Sequence, residues 1–306
     1  MRQMTIDKRV LSGLLERRSL RPLRDGADNL MNHPLELNDF KQQVADIYSR
    51  RSHNYDEGDF HPRLAHRLIE SAQISPGQQV LDIATGTGLV AIEAAQLVGS
   101  EGRVVGVDIS TGLLEQAKRK AKAAGVSNIE LMLADAEDLN FPNNTFDRVL
   151  CCSALPLMTN VPADLRLWHR FLKPDGLIGL CVFAETAFVT GVVLHTVAQK
   201  YGVSLVFNAL TGTEEKCYLL LQEAGFEDVE VKTDQFGSYI SLSQAKAAWE
   251  GSIKHPLCRP LGQLEPEQLE QAKAEYFAEL EALVTEKGIW NDITTFFVLG
   301  HKPMGS

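Results

Sequence analysis

From residue 78 onward, apolar runs of strand length alternate with amphipathic stretches of helical length. QQVLDIA (78–84), GRVVGVDIS (102–110), IELMLAD (129–135), FDRVLCCSA (146–154) and GLIGLCVFA (176–184) read as strands. Between them, GLVAIEAAQLVG (88–99), GLLEQAKRKAKAAG (112–125) and ADLRLWHRFL (163–172) repeat apolar positions at helical spacing. Strands that are apolar on both faces and separated by helices predict a doubly wound α/β domain, a parallel sheet covered on both sides. The rhythm changes after residue 184. Helices are expected over 186–201 and 213–224, then a strand EDVEVKTDQF (227–236), a helical stretch over 242–285 broken around KHPLCRPLG, and a last strand ITTFFVLGHK (293–302). Upstream, Asn38 caps a helix DFKQQVADIYSRRS, and 62–73 forms a second. Residues 1–37 are weakly periodic, broken by Pro22, Gly26 and Pro34, and expected to be a partly ordered basic extension. The resulting division is lid helices at 38–74, a core of 75–185, 225–235 and 291–302, and a helical cap of 186–224 and 236–290.

The first strand breaks into ATGTGLVA, where glycines let the backbone turn tightly toward a ligand and the next helix offers its N-terminus. Gly86-x-Gly88-x-x-Ala91 fits a dinucleotide fingerprint, with Asp108 about 20 positions on. Asp82, inside the strand, argues against a pyrophosphate. Its carboxylate would repel phosphates and suits a cofactor with a cationic amino group. Asp108 ends the second strand, where a carboxylate can accept from both hydroxyls of a ribose. Asp135 ends the third, within reach of an adenine amino group.

In order and spacing, LDIATGTG, GVDIS, ADAEDLNFPNNTFDRV and FLKPDGLIGL resemble the class I S-adenosylmethionine-dependent methyltransferases. The nearest group looks like the ubiquinone/menaquinone-biosynthesis methyltransferases and their small-molecule O-methyltransferase relatives, some of polyketide-synthase type. The resemblance covers about residues 40–183, and TTFFVLGHK resembles the family's antiparallel last strand. It implies a seven-stranded Rossmann-like sheet with a helical cap and lid, and S-adenosylmethionine as methyl donor, with S-adenosylhomocysteine as product. It further implies that Asp82 meets the methionine amino group and that Ala84, Gly86 and Gly88 form the loop. Asp108 would hold the ribose, Ile109 pack on adenine, and Asp135 with Ala136 recognise the adenine edge. Cys152 and Ser153 would line the methionine side, and Tyr48 and Tyr55 resemble the family's aromatic lid. Ala84 stands where many members have glycine.

Methyl transfer to a hydroxyl or activated carbon requires alignment, exclusion of water and removal of a proton. Loops 153–160, 184–190 and 236–241, with the cap, should surround the acceptor at the C-terminal ends of the strands. Related O-methyltransferases carry a histidine just after the fourth strand, where this chain has SALPLM. The leading candidates are His255, before Pro256 in the cap, His195 on an apolar helix, and Glu185 after the fifth strand, with His53 and His61 of the lid segment behind them. For each a structural role competes: core packing for His195, a helix cap for Glu185, a turn for His255. The expected activity is O-methylation of a hydroxyl or enol on a hydrophobic, polyketide-like intermediate with a histidine base. Alternatives are C-methylation of a quinone or polyketide precursor, a non-catalytic cofactor-binding scaffold, and a nicotinamide-dependent oxidoreductase, which leaves Asp82 unexplained.

Composition narrows the partners. With 30 basic against 40 acidic residues, a formal charge of −10 opposes general nucleic-acid binding. Apolar stretches fall short of the ~20 residues of a membrane span. The odd number of cysteines (Cys151, Cys152, Cys181, Cys217, Cys258), without CxxC spacing, predicts reduced thiols, no metal site and a cytoplasmic protein. A small or carrier-bound acceptor is expected, and the basic first 37 residues would suit one domain of a larger biosynthetic assembly.

Overall fold

The computed structural model describes residues 35–205 and 207–305; the extension expected over 1–37 lies, up to residue 34, outside them. Helices α1 (Asp39–Arg51) and α2 (Phe60–Ala72) precede strand β1 (Gln79–Ile83). Then follow α3 (Leu89–Val98), β2 (Arg103–Asp108), α4 (Thr111–Ala123), β3 (Ile129–Leu133), β4 (Phe146–Cys152), α5 (Val161–Phe171) and β5 (Leu172–Phe183). The cap begins with α6 (Val189–Lys200), whereas α7 (Glu214–Glu223), expected as part of it, packs on the sheet strand it leads into, β6 (Glu227–Gln235). After β7 (Ser238–Ile240) come α8 (Leu242–Ser252), the short α9 (Arg259–Gly262) and α10 (Pro266–Ala282), then β8 (Ile289–Asn291) and β9 (Thr294–His301).

Seven strands form one sheet in the order β3-β2-β1-β4-β5-β9-β6. β9 runs antiparallel to both β5 and β6, and the other pairs are parallel. The reversal of strand order beside β1 opens a crevice at the C-terminal strand ends, the position where such sheets bind ligands. The apolar runs are buried as their pattern requires: Val80, Leu81 and Ile83 are fully enclosed, Val80 in the cluster that α2 and α3 form on one face of the sheet. Fully burying one such side chain contributes roughly 1.5–3 kcal/mol.

One small residue brings the lid against this frame. A Cβ on Gly112 would lie 2.8 Å from the Ser49 carbonyl, so only glycine lets α1 lie directly on α4. At the far side, Trp168 is fully buried and its indole N–H donates to the Ala136 carbonyl at 3.0 Å, fixing the loop after β3.

The cap departs from expectation in a second respect. Residues 238–240 pair antiparallel with 289–291 as a separate two-stranded sheet. The loop expected to border the acceptor over 236–241 is therefore hydrogen-bonded to the far end of the cap. The five cysteines are free, and four of them are buried. No helix of the described residues is long and apolar enough to cross a membrane.

Candidate active site

The turn after β1 is stapled to the end of β2. Thr85 N–H donates to the Val107 carbonyl, and Gly86 N–H donates to Asp108 Oδ2 at 2.8 Å. Asp108 Oδ1 accepts from Ser110 N–H at 2.8 Å. Gly86 and Gly88 take the left-handed φ values of 57° and 82° that the turn demands. Ala84 does so too, at 52°, which explains why glycine is common there among the proteins this chain resembles. A left-handed alanine costs about 1–2 kcal/mol, and glycine gives back about 0.4–1 through the unfolded chain. Ala84→Gly is therefore expected to stabilise the protein by about 0.5–1 kcal/mol, raising Tm by roughly 1–2 °C. A thermal melt that falls instead would show that the alanine methyl packs usefully.

Asp82 differs from its sequence reading. It is 1% exposed and sits behind the loop, accepting from the Thr85 hydroxyl at 2.5 Å and from the Ala91 backbone N–H. Gly106 on β2 makes the room, since a Cβ there would lie 2.8 Å from Thr85 Oγ1. Burial pushes the Asp82 carboxyl up to about 7. Its task is to lock the loop and the start of α3, and it does not reach the cavity wall as expected for contact with a ligand's amino group. Gly88 also lies behind the wall, packed 3.1 Å (as a notional Cβ) from Ala117.

The other cofactor candidates do converge. Tyr48, Tyr55, Ala84, Gly86, Asp108, Ile109, Asp135, Ala136, Cys152 and Ser153 all line one cavity of about 730 Å³. Tyr55 covers the loop, 4.0 Å from where a Gly86 Cβ would be, and meets Tyr48 edge-on at 5.9 Å. The segment carrying Tyr55 is clamped by Asp56, which accepts from the Thr87 hydroxyl at 2.9 Å and pairs with Lys120. Burial pushes Asp108 up to about 6, against the backbone N–H groups that favour its charged form. Each Asp108 oxygen keeps a lone pair beyond the one its N–H partner uses, so the carboxylate can still accept ligand hydroxyls.

At the other end the structure adds a residue the sequence reading passed over. Lys41, 8% exposed, reaches Asp135 Oδ2 at 2.6 Å and Glu137 Oε1 at 3.0 Å. The signal was available, because Lys41, Val44, Ala45 and Tyr48 follow helical spacing and all four line the cavity. Asp164 lies close by with its Oδ2 buried and unpartnered, its carboxyl pushed up to about 7 by burial and by Glu137.

A second, larger opening of about 2410 Å³ adjoins the first, and Tyr48, Ser153 and Leu157 line both. His255, His195 and Glu185 border this opening, together with Phe183, Phe188 and Phe207. Two of the three already have a hydrogen-bond or ion-pair partner. His255 Nδ1 accepts from Leu257 N–H at 3.3 Å, so the neutral ring carries its proton on Nε2. Burial and the nearby Arg51 charge hold its pKa below the usual histidine value. His195 Nδ1 is buried without a hydrogen-bond partner. Glu185 is exposed and engaged by Lys216 at 3.2 Å. Residues 155 and 156, after β4, are leucine and proline in a short 3-10 turn.

The comparisons agree with this architecture. A family described as "Methyltransferase domain" matches residues 80–176. The ubiquinone/menaquinone biosynthesis C-methyltransferase of Coxiella burnetii is 35% identical over 159 residues, 51% of this chain and 62% of that protein. The match thus spans less than two thirds of that relative's length. Aklanonic acid methyltransferase of Streptomyces sp. (strain C5) is 37% identical over 154 residues, 50% of this chain and 69% of that protein. Among solved structures, a phosphoethanolamine N-methyltransferase of Haemonchus contortus holding S-adenosylhomocysteine shares the fold, with TM-score 0.55 at 16% identity, covering 87% of this chain and 61% of that one.

Proposed function

The chain belongs to the class I S-adenosylmethionine-dependent methyltransferases, and within that family we propose that it methylates an oxygen of a small, largely apolar acceptor that ionises readily at neutral pH. The observation that carries this reading is the junction of the two cavities at Tyr48, Ser153 and Leu157. When bound, S-adenosylmethionine supplies an electrophilic methyl carbon for in-line displacement. Asp108 would accept from the ribose, the 135–136 loop would border the adenine, and Tyr48 with Tyr55 would exclude water. Ser153 and Cys152 would border the methionine side.

The acceptor side departs from the histidine-base expectation. With Nδ1 taken by Leu257 N–H, the His255 ring presents Nε2–H and suits holding an oxygen that is already anionic, and His195 borders the same opening. An acidic enol, phenol or carboxylic acid ionises without help and needs only alignment and dehydration. The Streptomyces relative, whose name gives it an acid as acceptor, supports this reading. The Coxiella relative favours C-methylation as the second reading. An anionic aromatic ring presents both oxygen and carbon nucleophiles, so the two differ in the atom aligned with the methyl.

The test is an acceptor screen with isotope-labelled cofactor, locating the new methyl by NMR. Acidic enols, phenols and acids should be methylated on oxygen, aliphatic alcohols not, and kcat/KM should rise with pH through the acceptor's own pKa. His255→Ala and His195→Ala should each lower kcat/KM by about tenfold, as expected for a lost hydrogen-bond donor. Abolition of turnover by either change, with S-adenosylhomocysteine binding intact, would restore the base assignment. Methyl on carbon would favour the second reading.

A further inference from the structure

The larger cavity is apolar in its depth and cationic at its mouth. Arg50 and Arg51, in the last turn of α1, and Lys254, just after α8, border it, with Lys216 across from them. Glu185 is the one carboxylate in this lining, and Lys216 already pairs with it. Among the described residues, Arg50, Arg51 and Lys254 form no ion pair within 4.0 Å. The Arg51 charge is felt inside the wall, where it lowers the pKa of His255, His61 and Tyr48 against or alongside their burial. This cationic rim belongs to a chain whose formal charge is −10.

We propose that the acceptor carries a carboxylate that docks on Arg51 and Lys254 while its apolar body fills the space between Phe183, Phe188, Leu194 and Phe207. The inference rests on the reading of this cavity as the acceptor's. A neutral acceptor would strip water from three unpaired cations and return nothing, whereas a carboxylate supplies the counter-charge and matches the guanidinium fork. The carboxylate is a handle at the rim. Electrostatic pairing there withdraws charge from it, so the reacting oxygen is a separate group nearer Ser153.

Calorimetry on the full chain saturated with S-adenosylhomocysteine tests this, using 2-naphthoate and its neutral methyl ester as probes. The wild type should bind the acid about tenfold or more tightly at 50 mM KCl, and the preference should shrink severalfold at 500 mM. The double variant Arg51→Gln, Lys254→Gln should bind both probes alike, with ester affinity held within about twofold. Equal binding of acid and ester by the wild type, no binding of the acid, or a preference that survives the double change would each overturn the proposal. Failure of S-adenosylhomocysteine to bind, measured first in the same cell, would instead count against the methyltransferase reading.

Discussion

Asp108→Asn is expected to weaken S-adenosylhomocysteine binding by about 100-fold or more while the protein stays folded. Both carboxylate oxygens are in use, one holding Gly86 N–H and the other Ser110 N–H, each at 2.8 Å. An asparagine has one acceptor and one donor at these places, so an amide NH2 must face a backbone N–H. The cost of an unsatisfied buried donor is about 1–3 kcal/mol, and the clash displaces the loop that shapes the cavity. The ribose hydroxyls lose an acceptor at the same time, and about 2.7 kcal/mol in total corresponds to the hundredfold. Stability responds differently from binding. The native Asp108 carboxyl is pushed up to about 6 by burial, so ionising it in the folded chain is unfavourable. A raised carboxylate pKa contributes stability below the unfolded value near 3.8, and that contribution is lost as pH rises toward 6. Removing the charge at pH 8 therefore offsets part of the lost hydrogen bonding. Binding also acquires a pH signature: wild-type affinity should fall below about pH 6 as Asp108 takes up a proton, and the variant should lack that step. Calorimetric titration at pH 5 and 8 measures both. Wild-type affinity retained in the variant would remove Asp108 from the ribose role.

The frame of the molecule was legible because its signals are long. VLDIA and RVVGVD are apolar on both faces, which a strand tolerates only between two helical layers, and a series of such runs alternating with helices leaves few topologies. The wall of the cofactor cavity was legible for a related reason, since its residues end strands or open loops in fixed order. What escaped were side-chain directions set by neighbours distant in the chain. Asp82 faces inward because Thr85 folds back over Gly106 and takes its carboxylate, a contact that no spacing within β1 announces. His255 turns its Nδ1 to Leu257 N–H two residues on, which depends on the 3-10 turn that Pro256 begins. β7 and β8 are three residues each and some fifty apart, too short to carry any period. Lys41 was the recoverable omission, a cation on an otherwise apolar helical face that ends in Tyr48.

Lys41→Met should show how much the lid depends on that cation, with an expected loss of about 3 kcal/mol at pH 8. Lys41 is the partner of Asp135 and Glu137, both side chains about as enclosed as its own. Burial works against its charge, but the two carboxylates outweigh this and raise its pKa. Burial would likewise raise Glu137, yet the Thr159 contacts and Lys41 hold it below the usual carboxylate range. Such a depressed group stabilises the fold above its unfolded value near 4.5, and that stability is lost as pH falls through the lower native one. Without the lysine, Asp135, Glu137 and Asp164 are left together as three carboxylates. Asp164 is already pushed up to about 7, and loses the one cation that lowers it. An exposed ion pair would be worth about 0–1 kcal/mol, so a larger loss identifies the cluster as an enclosed one. The sign against pH is the sharper readout. In the variant the carboxylates move upward, so protonation relieves them and the loss should shrink to about 1 kcal/mol at pH 5. Adding Glu137→Gln should recover part of the stability at pH 8, because the amide removes a like charge while keeping an acceptor for Thr159. Urea unfolding of the single and double variants at both pH values decides the matter. An equal loss at pH 5 and pH 8 would mean that Lys41 acts through the packing of its alkyl stem on α1, and that the charge cluster does not hold the lid.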